Sequence, residues 1–433
     1  MSPEGEGNRS PARARWSEEH VDEATREWLA EDARWFLHQS LSTPCLNVLA
    51  RGQGSYIEDL AGRRYLDFHG NNVHHAGFSN PRVIEAITAQ MRELSFCPRR
   101  YTNLPAIRLA RKLGEIAPGR LNKVLFAPAG TAAVSMALKL ARIATGRFKT
   151  ISLWDSFHGA TLDAISAGGE EIFRRGMEPL LPGALHAPPP DPAQCPFRCG
   201  GECSCACAEY VEYMMRREGD IGAVLVETVR ATSRIPPPRY LSILREACDR
   251  HAALLIFDEI PHALGRTGRM FTCENFGVTP DMLLIGKALG GGIFPLAALI
   301  AREDLDVAGD GALGHFTHEK NPVACAAALA AIGFIEDNRL PERARAMGEY
   351  ALARLREMQA RRPVIRAVRG LGLLLGVELA DDDDAERALY RSLELGLSFK
   401  VTMGAVLTLT PPLTISREEM DEALSILDRA LAD

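Results

Sequence analysis

No run of about 18 consecutive apolar residues occurs in the chain, so no membrane-spanning helix is expected. Positive charge is not in excess either. The 50 Lys and Arg residues against 56 Asp and Glu leave a formal charge of −6, which argues against nucleic acid as an obligate partner. Residues 1–15 lack the apolar core of a signal peptide and are rich in Pro, Gly and Arg. Residues 1–16 therefore read as a disordered tail of a cytoplasmic protein, with a helix expected to begin near Ser17, capped by that serine. Cysteine is sparse outside one segment. Five of the ten, Cys195, Cys199, Cys203, Cys205 and Cys207, fall in residues 188–209, which read as an insertion. In a cytoplasmic setting disulfides are not the default state of such thiols. Their spacing matches no standard zinc finger, although four thiolates around Gly200 and Gly201 permit tetrahedral zinc, and no metal site is assigned.

What is present is enough apolar content, 46% of 433 residues, for a large core and more than one structural unit. The chain is organised around residues 252–292. Residues 254–257 and 282–285 read as buried parallel strands, and a charged residue follows each: Asp258 after the first, Lys287 after the second. The carboxyl ends of strands in an open α/β sheet face one crevice, so this carboxylate and this amine can address the same ligand. The glycines at 290–292 leave bare backbone for a flat ligand to approach. Pyridoxal phosphate chemistry wants this pair: an amine to condense with the cofactor and an aspartate to keep its pyridine nitrogen protonated. The alternative is a purely structural buried ion pair, which adds little stability.

The stretches FDEIPHALGRTGRMF (257–271) and PDMLLIGKALGGG (280–292) resemble the signature of class III pyridoxal-phosphate aminotransferases, and the likeness runs from about residue 46 to the C-terminus. The resemblance implies an α/β protein of fold type I. A large domain with a mostly parallel seven-stranded sheet (104–337) would join a small α+β domain built from both termini, 17–103 with the N-terminal arm and 338–433. It also implies site roles. Gly130, Thr131 and Ala132, between a strand at 123–127 and a helix, match the cup that holds the cofactor phosphate, a task suited to a helix N-terminus. Phe157 would stack on the pyridine ring, with His158 beside the cofactor; Glu227 would face it and Ile260 would pack on its other side. Thr317 matches a threonine that reaches the phosphate of a neighbouring subunit, which implies a homodimer with shared active sites.

Four positions, in three places, depart from the family pattern. Pro261 stands where relatives place a glutamine, Glu319 and Lys320 replace two glycines, and Thr408 replaces an arginine that binds the carboxylate of an amino or keto acid. Lys320 could bind a substrate anion or pair with Glu319. Losing a bidentate carboxylate clamp disfavours ordinary transamination. Candidate groups for a different anion are Arg99, Arg100, Lys320 and Lys400, with Asn71 supplying a neutral contact unless it bonds its own turn. Arg230 either meets the anion or pairs with a neighbour, and residues 381–384, four acids, read as a solvated turn. The segments HGNNVH, CPRRYTN, GHFTHEKNP and SFKVTMGAVLTLTPPL resemble the (R)-1-hydroxy-2-aminoethylphosphonate ammonia-lyase branch of class III. That branch implies a small anionic amino substrate, a phosphonate, losing ammonia without a keto acid. An ω-aminotransferase using pyruvate, a phospho-lyase acting on a phosphorylated amino alcohol and a cofactor-retaining protein without catalysis are the alternatives.

Overall fold

The first helix begins earlier than the sequence suggests. In the computed structural model, which describes residues 10–39, 45–191, 195–199 and 203–432, Ser10 and not Ser17 is the cap. Its hydroxyl accepts the Arg13 N–H at 3.0 Å, and Pro11 occupies the first turn of α1 (Pro11–His20), where its missing N–H costs nothing. The segment holds because Trp16 and Val21 are buried with Tyr65, Tyr390 and Leu393. One buried indole removes roughly 150–250 Å² of surface from water, and the polar composition around it hid that anchor. The tail expected over residues 1–16 is thus helical from Pro11 onward, and residues 1–9 lie outside the described residues. α2 (Glu23–Trp35) follows, capped by Asp22.

Three antiparallel strands come next, β1 (Leu49–Gln53), β2 (Tyr56–Asp59) and β3 (Arg64–Asp67), then α3 (Pro81–Glu93) and α4 (Leu104–Ile116). The large sheet is built from β4 (Leu121–Ala127), α5 (Gly130–Thr145), β5 (Lys149–Leu153), α6 (Leu162–Ala167), α7 (Glu171–Arg174) and β6 (Ala184–Ala187). It continues through α8 (Ala206–Glu218), β7 (Ile221–Glu227), α9 (Tyr240–His251), β8 (Leu254–Asp258), β9 (Met282–Ile285) and β10 (Ala297–Arg302). Its order is β4-β10-β9-β8-β7-β5-β6, with β10 antiparallel to both neighbours and the other pairings parallel. β7, β8 and β9 are apolar on both faces because helices cover both, as buried parallel strands require. The seven-stranded, mostly parallel sheet expected from the resemblance is present.

After α10 (Pro322–Asp337) and α11 (Leu340–Arg361), the chain forms β11 (Ile365–Leu371), β12 (Leu374–Leu379), α12 (Asp382–Leu395), β13 (Leu397–Ser398), β14 (Lys400–Thr402), β15 (Val406–Leu409) and α13 (Arg417–Ala430). β11-β12-β15-β14 is an antiparallel sheet, whereas β13 pairs in parallel with β3 and so ties the two ends of the chain into one small sheet. No helix among the described residues is long and apolar enough to cross a membrane.

Asp381, Asp382 and Asp383 are exposed, as expected, but the four acids open a helix and not a turn. Asp381 caps α12, accepting the Asp384 N–H at 2.8 Å, and Asp382 to Asp384 occupy the positive end of the helix dipole. Asp381→Ala is expected to lower the unfolding free energy by about 0.5–2 kcal/mol, read as a Tm decrease. An unchanged Tm would mean that the cap contributes nothing.

Candidate active site

Register places the chemistry. Glu227 is the cross-strand partner of Asp258, and Asp258 is that of Leu284, so three parallel strands deliver their ends to one level. Beyond β9, Lys287 turns out of the strand with a φ of 45°, a left-handed conformation uncommon for a side chain with a Cβ. Gly286 before it packs against Ile260, and a Cβ there would lie 3.2 Å from Ile260 Cγ2. Burial lowers the Lys287 pKa below its ordinary value, and the cation of Lys400 adds to that effect, whereas Asp258 and Glu227 oppose it. An amine held toward its neutral form is a nucleophile and a base.

Asp258 is buried and doubly held. Its Oδ2 lies 2.8 Å from Nδ1 of buried His158, and its Oδ1 accepts the Ile260 N–H at 3.0 Å. Because an ionised carboxylate only accepts, His158 donates from Nδ1. His158 therefore supports the aspartate. Glu259, which sequence reasoning passed over, fixes the turn that follows: it accepts from the Thr228 hydroxyl and from the N–H groups of Thr272 and Cys273 at 2.9, 2.6 and 2.7 Å. Pro261 sits inside this anchored turn and offers no donor of its own.

At the end of β4, Gly130, Thr131 and Ala132 open α5, and no side chain caps that helix, which leaves its N–H groups facing outward. Thr131 Oγ1 lies 2.6 Å from Thr161 Oγ1 and accepts the Thr161 N–H at 3.3 Å. Gly159 closes the cup with a φ of 129°, and a Cβ there would come within 2.4 Å of Thr131 Oγ1. Gly130 is bare for a similar reason, its missing Cβ facing Ile260 Cδ1 at 2.9 Å. Phe157 lies 4.4 Å from Phe173, ring to ring, tilted by 41°. Gly159 and Thr161 were visible in the sequence as the residues just past a strand end, but nothing there linked them to Thr131.

Burial pushes Glu227 up to about 7, against the opposing charges of Arg230 and His158. Arg230 pairs with neighbours, Glu170 at 3.6 Å and Glu227 at 4.0 Å, which favours the plainer of its two readings. His69, in the HGNNVH segment, joins the site: burial, Lys400 and Lys287 lower its pKa to about 4, and Asn71 bonds it. Asn71 itself has a φ of 46° in the Gly70–Asn72 turn, a conformation asparagine tolerates.

The remaining candidates are elsewhere. Arg99 pairs with buried Glu319 at 3.3 Å, and Glu319 also accepts the N–H groups of His315 and Phe316. Glu319 thus takes Arg99 as its partner and not Lys320. Arg100, Thr317 and Lys320 are exposed, and none of the described hydrogen bonds or ion pairs joins them to Lys287.

Residues 38–431 match the class-III aminotransferase family. The chain is 47% identical to the (R)-1-hydroxy-2-aminoethylphosphonate ammonia-lyase of Vibrio splendidus (strain 12B01), over 99% of this chain and 95% of that protein. It is 39% identical to an acetylornithine aminotransferase of Methanopyrus kandleri, over 89% and 94%. An amine transaminase from an uncultivated Pseudomonas species, solved with PLP bound, superposes with a TM-score of 0.87 at 31% identity, covering 92% of this chain and 98% of that one. The cofactor is pyridoxal 5'-phosphate, and the residues present fit it: an uncapped helix start, two glycines where a Cβ would intrude, a buried aspartate for a ring nitrogen and a buried amine.

Gly159→Ala is expected to lose cofactor, since the conformation alone costs an L side chain about 1–3 kcal/mol and the Cβ displaces Thr131. Pyridoxal phosphate retained after dialysis, measured by visible absorbance, reads this, and full retention would remove Gly159 from the cup. For Glu227, raised from 4.5 to about 7, the stability carried by the neutral form is complete below the ordinary value and lost as pH rises through 7. The Tm of Glu227→Gln relative to the parent is therefore expected to rise between about pH 5 and pH 8, whereas a difference independent of pH would show that Glu227 ionises normally. Motif, crevice geometry and relatives agree, and the chain belongs to the class III aminotransferase family.

Proposed function

We propose that this enzyme is a pyridoxal-phosphate-dependent carbon–nitrogen lyase that converts (R)-1-hydroxy-2-aminoethylphosphonate to phosphonoacetaldehyde and ammonia. One observation carries the reading from family to substrate: the relocation of a cation. Thr408 is buried and bonds Thr402 at 2.8 Å, and its direct partner across β14 and β15 is Lys400. The positive charge lost at 408 thus reappears one strand away, close enough to depress the pKa of both Lys287 and His69. The arginine fork that grips a planar carboxylate bidentately is gone, and the ammonium in its place binds a phosphonate as a point charge, as lysine does at phosphate sites. The Vibrio splendidus relative named for this substrate supports the same reading.

When bound, the cofactor supplies an aldehyde that holds the substrate amine and a ring that draws electrons from the adjacent carbon. Lys287, kept toward neutrality, takes the proton from the carbon bearing nitrogen. Asp258, oriented by His158 and the Ile260 N–H, keeps the ring nitrogen protonated. Lys400 holds the phosphonate, with Asn71 and His69 beside it. The neighbouring hydroxyl leaves as water, and the released enamine tautomerises and takes up water to give aldehyde and ammonia. The water lost in the first stage is regained in the second, and no keto acid enters.

The same reading includes a homodimer in which Thr317 serves the partner's cofactor phosphate. Exposed apolar side chains on and between α3 and α4, Ile84, Met91, Leu94, Leu104 and Ile107, support a covered face. A cytoplasmic setting is supported by ten free cysteines.

Incubating the holoenzyme with the hydroxyaminophosphonate and no keto acid is expected to yield ammonia and phosphonoacetaldehyde. Free phosphate would indicate the phospho-lyase, and alanine formed only on adding pyruvate would indicate an aminotransferase. Lys400→Gln is expected to raise KM about tenfold or more, as loss of a charged contact worth roughly 1.5–3 kcal/mol requires, with kcat less affected. An unchanged KM would remove Lys400 from the anion site.

A further inference from the structure

Of the five clustered cysteines two are buried and three part-exposed, with Cys203 packed against the core. Cys205 and Cys207 belong to the hydrophobic core beside Tyr240, and burial pushes the Cys207 thiol up to about 12. Such thiols are inert. Cys195 and Cys199 lie on the part-exposed loop before α8, in a turn closed by the Arg198 N–H donating to the Cys195 carbonyl at 3.1 Å. Arg198 has a φ of 50°, which folds the chain back and brings Cys195 Sγ and Cys199 Sγ to 3.7 Å. Ser204 Oγ donates to Cys199 Sγ at 3.2 Å. Among the described residues no group of three or more His, Cys, Asp or Glu is placed to hold a metal ion.

We propose that Cys195 and Cys199 are a thiol pair that peroxide converts reversibly to a disulfide, with Cys199 as the attacking sulfur. The Cys199 thiolate attacks one peroxide oxygen, the O–O bond breaks, and a sulfenic acid and hydroxide form. Cys195 sulfur then attacks the Cys199 sulfur, the S–O bond breaks, and the oxygen leaves as water. Two thiols lose two electrons, and one hydrogen peroxide becomes two waters. The hydrogen bond from Ser204 lowers the Cys199 pKa to about 7, with Cys195 adding to it. About half of Cys199 is then thiolate at neutral pH, against about 1% for a thiol at 9.0. After allowing for the weaker nucleophilicity of a less basic sulfur, the advantage over an ordinary exposed thiol is about fivefold. This site is independent of the reaction assigned above.

Stoichiometric hydrogen peroxide is added to the holoprotein, remaining thiols are alkylated, and digested peptides are weighed. The expected result is a peptide holding Cys195 and Cys199 that has lost two hydrogens, regains them with dithiothreitol, and forms about fivefold faster than oxidation elsewhere. In Cys195→Ser, Cys199 should be trapped by dimedone as the sulfenic acid. In Cys199→Ser, Cys195 oxidation should slow by the same factor. Oxidation spread evenly over the cysteines, an unaltered pair, parent-like oxidation of Cys195 in Cys199→Ser, or stoichiometric zinc that blocks alkylation would each overturn the proposal.

Discussion

A buried amine beside buried carboxylates is the constraint on which the rest of the site depends. Lys287 cannot sit at the end of β9 as an isolated cation, because burial drives it toward neutrality, and it cannot be fully neutral beside Asp258 and Glu227, which favour its charge. The parallel register sets that balance: it aligns Glu227 with Asp258 at the ends of β7 and β8, and Lys287 follows just beyond the neighbouring strand β9. His158 and the Ile260 N–H fix the position of Asp258 by bonding its two carboxylate oxygens. The glycines around Ile260 and Thr131 follow from the same arrangement: backbone must come close where a flat, phosphorylated ligand lies between a helix start and a lysine.

Much of this was legible because it lies on strand ends. Periodicity locates β7, β8 and β9, and whatever follows them enters the crevice, so Glu227, Asp258 and Lys287 could be read before any coordinates. Side chains that meet across long sequence separations could not. The bond between Thr131 and Thr161 spans 30 positions, and the support of Asp258 by His158 spans 100. Composition misled at two points for one reason. Residues 10–16 look like part of a disordered tail and 381–384 like a turn, yet a single buried Trp16 and a single capping Asp381 make each the beginning of a helix. Local polarity says little where one anchor outweighs the average.

Departures from the family pattern are informative because they are paired. Loss of the arginine at 408 leaves a threonine satisfied by Thr402, while a cation stands directly opposite on β14. Glu319, in place of a glycine, is satisfied by Arg99 and two backbone donors. In each case the new polar group has partners, as burial demands. Only the first of them changes the charge that faces Lys287.

The two-residue strand β13 has a consequence for biogenesis. It is the stitch that joins the end of the chain to β3, through Leu66 N–H to the Gly396 carbonyl at 2.8 Å and Phe68 N–H to the Ser398 carbonyl at 2.7 Å. His69 and Asn71 on one side and Lys400 on the other are therefore brought to the same crevice only after more than three hundred intervening residues exist. A nascent chain that has already completed its large sheet still lacks the wall proposed to hold the substrate anion. On the proposed reading, the wall that would hold the anion is completed last, as translation finishes, after the large sheet that carries Asp258 and Lys287 has emerged.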